Sequence, residues 1–130
     1  MLEDGNQLSF QAFQDYLDTH HADRKISIKD DLVPQMKESV LKTFLAVRNR
    51  IDPNKRKYTF ELFGFDFILD EDMNTWLIEV NTNPCLEESS KLLRGLLPRM
   101  IEDMLQLTVD NLFPKMALKK YKQKNNKPPQ

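Results

Sequence analysis

Hydrophobic positions change their period twice along this chain. From Phe10 to Ile51 they recur at three- and four-residue spacing, from Phe60 to Asn81 they crowd into two β-like runs, and beyond Pro84 the helical spacing returns. Ser9 can cap a short helix over Phe10 to Leu17, with Phe10, Phe13 and Leu17 on one side. Thr19 to Lys29 is polar and predicts a loop containing a short strand at Ile26 to Ile28. A second helix begins near Asp30 and Asp31, whose charges suit its positive end, with Pro34 in the first turn. Its stripe of Val33, Met36, Val40, Phe44, Val47 and Ile51 ends before Asp52-Pro53. Glu87 to Gly95 predicts a third helix with Gly95 as its C-cap. Pro98 opens a fourth through Leu112, with Leu97, Ile101, Met104, Leu105 and Thr108 on its inner face.

The middle of the chain is the richest part. Phe60 to Asp70 and Trp76 to Asn81 flank a polar gap, Asp70 to Thr75, and predict an antiparallel hairpin. Pairing Leu69 with Trp76 sets Asp66 opposite Glu79 and Gly64 opposite Asn81. Strand alternation then places Gly64, Asp66, Glu79 and Asn81 on one face. Phe63, Phe65, Phe67 and Leu69 occupy the other, against Trp76, Ile78 and Val80. A register slip would expose that aromatic face, so the pairing is well specified.

Two facing carboxylates need a cause, because like charges directly opposite each other destabilise a strand pair. A lysine from elsewhere could neutralise Asp66. A divalent cation would remove the repulsion outright, and a ligand set of oxygens without His or Cys suits Mg²⁺ or Mn²⁺ and not Zn²⁺. Three side chains are too few for a closed Ca²⁺ cage. They match Mg²⁺, which keeps waters and borrows phosphate oxygens. Gly64 would leave room for such a ligand to approach the backbone.

The run FELFGFDFILDEDMNTWLIEVNTNPCLEESS resembles the C-terminal signature of the tubulin-tyrosine ligase-like family of ATP-grasp ligases. The likeness extends from Gly5-Asn6-Gln7-Leu8-Ser9 to Leu112-Phe113-Pro114, nearly the whole chain. It implies that Asp66, Glu79 and Asn81 hold the magnesium ions bridging the phosphates of ATP, with no catalytic residue beyond these ligands. Asn81, Thr82 and Asn83 would then touch the nucleotide. The implied reaction joins glutamate, glycine or tyrosine to tubulin: ATP phosphorylates a carboxylate, and the amine of a free amino acid displaces phosphate from the acyl phosphate. Such chemistry rests on positioning and charge neutralisation.

The implied fold is α/β (α+β), the C-terminal subdomain of an ATP-grasp domain. Its largely antiparallel sheet would contain residues 58–69 and 76–81, packed with helices. Residues 1–114 would form the C-terminal portion of that domain and residues 115–130 a basic, disordered tail. The glycine-rich phosphate loop and the nucleotide-binding lysines of such ligases have no counterpart here, and only three glycines are present. The expectation is therefore a segment truncated upstream of Met1, belonging to a longer enzyme and inactive by itself. Two alternatives stand beside this reading. One is a catalytically inactive module that binds microtubules, and the other is an ATP-grasp peptide ligase with a non-tubulin acceptor.

Composition adds less. The net charge is −1, but the tail from Lys115 to Gln130 carries six lysines and no acid, so the preceding part stands near −7. That tail would be attracted to acidic tubulin surfaces. The acidic body argues against nucleic acid, and no apolar run reaches the length of a membrane span. A single cysteine, Cys85, excludes an internal disulfide framework and fits a reducing compartment. It reads as a small buried residue, not a nucleophile. His20 and His21, in a polar loop without carboxylate or cysteine companions, are given no metal role. Arg48 and Arg50 suit a helix C-terminus and could also reach a phosphate or an acidic substrate. A cytoplasmic, cytoskeletal monomer is expected, with cilium or basal body as specific destinations.

Overall fold

The structure is a computed structural model and describes residues 7–113. It is a mixed α+β arrangement in chain order: α1 (Phe10–His20), α2 (Val33–Ile51), β1 (Gly64–Leu69), β2 (Thr75–Asn81), α3 (Lys91–Leu107) and α4 (Val109–Leu112). The two strands pair antiparallel and form a two-stranded sheet.

Ser9 caps α1 as its sequence suggests, its hydroxyl accepting from the Ala12 amide at 3.1 Å. The helix runs three residues past Leu17, to His20. No strand forms at Ile26 to Ile28. The side-chain amide of Gln14 takes the place of a strand partner, donating to the Ile26 carbonyl at 2.9 Å and accepting from the Ile28 amide at 2.8 Å. A π-helical turn, Ile28–Leu32, then feeds directly into α2. Ser27 caps it reciprocally: its hydroxyl accepts from the Asp30 amide, while the Asp31 carboxylate accepts from the Ser27 amide at 2.7 Å. The two aspartates thus satisfy a helix start as well as complementing its dipole.

The core is small. Leu17, Ile28 and Leu32 are fully buried, with Phe13, Ile26, Val33, Met36, Leu69 and Met73 packed around them. From there α2 crosses the inner face of the hairpin, and Phe44 meets the rings of Phe63 and Phe65 at 5.4 and 5.6 Å. The α2 stripe from Val33 to Val47 is half-buried, and Ile51 at its end is exposed.

β1 begins at Gly64, so residues 58–63 lie outside any strand. Among the described residues no strand pairs with them, because β2 ends at Asn81 opposite Gly64 and Pro84 turns the chain away. The helices after the hairpin also differ from expectation. Glu87 to Ser89 are not helical, and one helix, α3, continues through both Gly95 and Pro98. Ser90 is its cap, accepting from the Leu93 amide at 3.2 Å while donating to Gln7. The stripe of Leu93, Leu97, Ile101 and Met104 stays in phase across glycine and proline alike. Burial therefore outweighs the hydrogen bond that Pro98 deletes. Leu105 points outward.

Candidate metal centre on the hairpin

Pairing in the first half of the hairpin matches the expected register. Gly64 faces Asn81, Phe65 faces Val80 and Asp66 faces Glu79. Between Asp66 and Phe67 the register shifts by one, so Phe67 faces Leu77, Ile68 faces Trp76 and Leu69 faces Thr75. Ile78 is the extra residue of a β-bulge. The bulge corrects the expected faces: Leu77, not Ile78, points inward with Val80, while Trp76 and Ile78 are 60% and 61% exposed. Ile68, also exposed, stands opposite Trp76. The outer face therefore carries carboxylates at one end and an apolar group at the other.

At the open end the three expected ligands converge. Asn81 Nδ2 donates to Asp66 Oδ2 and to Glu79 Oε1, each at 3.2 Å. The amide thus sits between two carboxylates, supplying the partial positive charge that relieves their repulsion. Among the described residues the sole ion pair is Glu38 with Lys42, so no lysine or arginine neutralises the cluster. Turning the Asn81 amide about its last torsion would exchange the nitrogen for Oδ1 and give an all-oxygen set, open to solvent. That donor set fits a hard divalent cation with free coordination positions. Among the described residues, no group of three or more His, Cys, Asp or Glu side chains could hold a metal ion.

The surroundings fix this end of the hairpin. A Cβ built on Gly64 would stand 3.1 Å from the Pro84 Cβ and 3.6 Å from the Asn81 Cβ. Gly64 therefore admits the Pro84 ring, correcting the expectation that it opens space for a ligand. Thr82 and Asn83 follow in an exposed bend, and no hydrogen bond joins them to the cluster. Cys85 is exposed rather than buried, because Pro84 takes the inward position beside it. His20 and His21 lie against Tyr16, with centroids 4.6 and 5.9 Å away.

The closed end is held by residues that periodicity does not reveal. Asp70 Oδ1 accepts from the Asp72 and Asn74 amides at 3.0 and 2.8 Å, and Oδ2 accepts from the Trp76 indole at 2.8 Å. The Trp76 bond, followed by those from Asn74, holds the Asp70 carboxyl down at about 2. The Thr75 amide donates to Gln35 Oε1 at 2.9 Å, and Arg24 donates to the Glu71 carbonyl. An Asp with an Asn four residues on is a turn signal that could have identified Asp70. Nothing in local sequence points to Gln35, forty residues from its partner.

Comparison with known proteins identifies the family. A model of the tubulin-tyrosine ligase family matches residues 1–117. The chain belongs to that family. Among its relatives, tubulin monoglycylase TTLL3 of Danio rerio is 37% identical over 79 residues, covering 61% of this chain and 10% of the relative. Protein monoglycylase TTLL8 of Homo sapiens is 30% identical over 105 residues, 81% of this chain and 12% of the relative. Tubulin glycylase 3B of Tetrahymena thermophila is 26% identical over 118 residues, 91% of this chain and 10% of the relative. The chain thus spans about a tenth of the length of these relatives. Among the described residues, no helix is long and apolar enough to cross a membrane. The basic tail expected over 115–130 lies outside the described residues.

Proposed function

We propose that this chain supplies the magnesium–ATP phosphate site of an ATP-dependent ligase that attaches an amino acid to tubulin, within a longer enzyme. The observation that carries this is the convergence of Asp66, Glu79 and Asn81 at one end of the hairpin, bridged at 3.2 Å. Of the three amino acids open to such a ligase, glycine is favoured by relatives named as glycylases. A free amino acid and tubulin or microtubules are the proposed partners.

Asp66 and Glu79 would hold the cation from the two strands, and Asn81 would complete the set through its carbonyl oxygen. Bound magnesium supplies neutralisation of phosphate oxygens as charge shifts between them. The chain's own part is positional. The Asp66–Glu79 pairing fixes the carboxylate separation, Pro84 packed on Gly64 fixes the exit of Asn81, and the bulge at Ile78 keeps Glu79 outward. Thr82 and Asn83, exposed just beyond Asn81, would meet phosphate oxygens.

The test is a Mn²⁺ titration of the 130-residue chain followed by NMR. Broadening should centre on Asp66, Glu79 and Asn81 and disappear in Asp66→Asn and Glu79→Gln. In the longer ligase, Glu79→Gln should lower glycine transfer by about a hundredfold. Broadening that ignores both substitutions, or a Glu79→Gln enzyme with normal turnover, would sink the assignment.

A further inference from the structure

Two places in the chain set Arg and Lys three and two residues ahead of a hydroxyl, with an apolar residue after it. They are Arg24-Lys25-Ile26-Ser27-Ile28 and Arg56-Lys57-Tyr58-Thr59-Phe60. Protein kinases choose substrates partly by charge pattern, and a kinase cleft lined with carboxylates takes such a basic pair in front of the reacting hydroxyl. Sequence alone does not separate the two places. Their surroundings do.

At the first, the hydroxyl and its neighbours are already engaged. Ser27 Oγ accepts from the Asp30 amide at 3.1 Å and donates to Asp30 Oδ2 at 2.9 Å, and the Ser27 amide donates to Asp31 at 2.7 Å. Arg24 donates to the Glu71 carbonyl, and Ile28 is buried in the core. A phosphate on Ser27 would also stand against the Asp30 and Asp31 carboxylates and be repelled.

At the second, Arg56 to Phe60 are all exposed, and neither Arg56 nor Lys57 is ion-paired among the described residues. Lys57 to Leu62 lie in no helix or strand, and no backbone hydrogen bond among the described residues holds them. Tyr58 has a left-handed backbone, with φ of 61°, which is costly for a residue other than glycine. Drawing the segment out into the extended form that a kinase cleft takes therefore relieves strain and breaks no such bond. The product also has a place to settle. Thr59 lines a concavity of about 500 Å³ together with Asn54 and Arg56. Asp52 and Glu61 lie on the same wall, so a phosphate on Thr59 is drawn to the guanidinium of Arg56 and the amide of Asn54.

We propose that Thr59 is a phosphorylation site for a protein kinase directed by basic residues, and that Ser27, its equal in sequence, is not. In the step, Thr59 Oγ1 attacks the γ-phosphorus of an ATP held by the kinase. The new O–P bond forms, the bond from that phosphorus to the β–γ bridging oxygen breaks, ADP leaves, and the hydroxyl proton passes to the base of the kinase. The phosphate brings a charge of about −1.5 to −2. It offsets part of the charge of the five cations between Arg48 and Lys57, shortly before β1 begins at Gly64. Nothing in this step draws on the cluster of Asp66, Glu79 and Asn81.

The experiment incubates the 130-residue chain with ATP, Mg²⁺ and the catalytic subunit of cyclic-AMP-dependent protein kinase, and locates phosphate by tandem mass spectrometry. Phosphate should enter at Thr59. Thr59→Val should abolish that label, and Ser27→Ala should leave it in place. Arg56→Gln with Lys57→Gln should slow labelling by about tenfold or more, since the kinase loses both charge pairs. Free peptides spanning residues 22–30 and 54–62 should both be labelled, because only the fold separates the two hydroxyls. The proposal is overturned if the whole chain takes phosphate at Ser27 or takes none at Thr59. It is equally overturned if Thr59 is labelled at an unchanged rate after Arg56→Gln with Lys57→Gln.

Discussion

The two ends of the hairpin are built on opposite principles. At the closed end, Leu69 packs into the cluster of Leu17, Ile28 and Leu32, and the turn is tied down by Arg24, Gln35 and Trp76. At the open end, two carboxylates face each other with one amide between them, and neither is ion-paired among the described residues. The first end is tied to the rest of the fold; the second carries the ligand set proposed for a cation. Rigid support at one end would keep the proposed ligands at the other end in place.

The largest effect should come from damaging the supported end. Leu32 is 1% exposed and sits where the π-helical turn meets α2. Leu32→Ala should cost about 2–5 kcal/mol in denaturant unfolding, a substantial part of what so small a core provides. Glu79→Gln should leave stability within about 0.5 kcal/mol, since it lies on the exposed face. Equal losses from the two substitutions would erase the distinction between the ends.

The same contrast explains what could be read beforehand. The open end depends on pairing between near neighbours in sequence and on alternation, so the facing of Asp66 and Glu79 and the position of Asn81 were legible. The bulge was not. Trp76-Leu77-Ile78 is apolar throughout, and alternation cannot choose which of three apolar residues turns inward. The helix start at Ser27 was obscured because Gln14, far upstream, holds the preceding backbone. Gly95 and Pro98 signal a break locally, yet the stripe on either side of them stays in phase. Cys85 resembles a core residue until Pro84 is seen to take the inward place.

A smaller and opposite effect is expected at Thr75, where β2 starts. Its amide is bonded to Gln35, but its buried hydroxyl oxygen has no partner among the described residues. Thr75→Val keeps the shape and removes the orphaned group, so it should stabilise the chain by about 1 kcal/mol. A loss of similar size would mean that the hydroxyl has a partner and that the closed end holds no orphaned group.

The finest distinction is in pH. Asp70 is held at about 2 in the folded chain against an ordinary 3.8, first by the Trp76 indole and then by Asn74. Because the folded value lies below the unfolded one, the carboxylate contributes its full stabilisation above about pH 4. That contribution should fall away as pH drops from about 4 to about 2, and Asp70→Asn should flatten the response in that window. Trp76 is the only tryptophan, so its fluorescence reports on the same hydrogen bond that sets the shift. A closed end locked by its own hydrogen bonds should show the transition in Trp76 with or without Mn²⁺. A transition that moves with added Mn²⁺ would mean that the metal also acts on the turn, and that the two ends are not built separately after all.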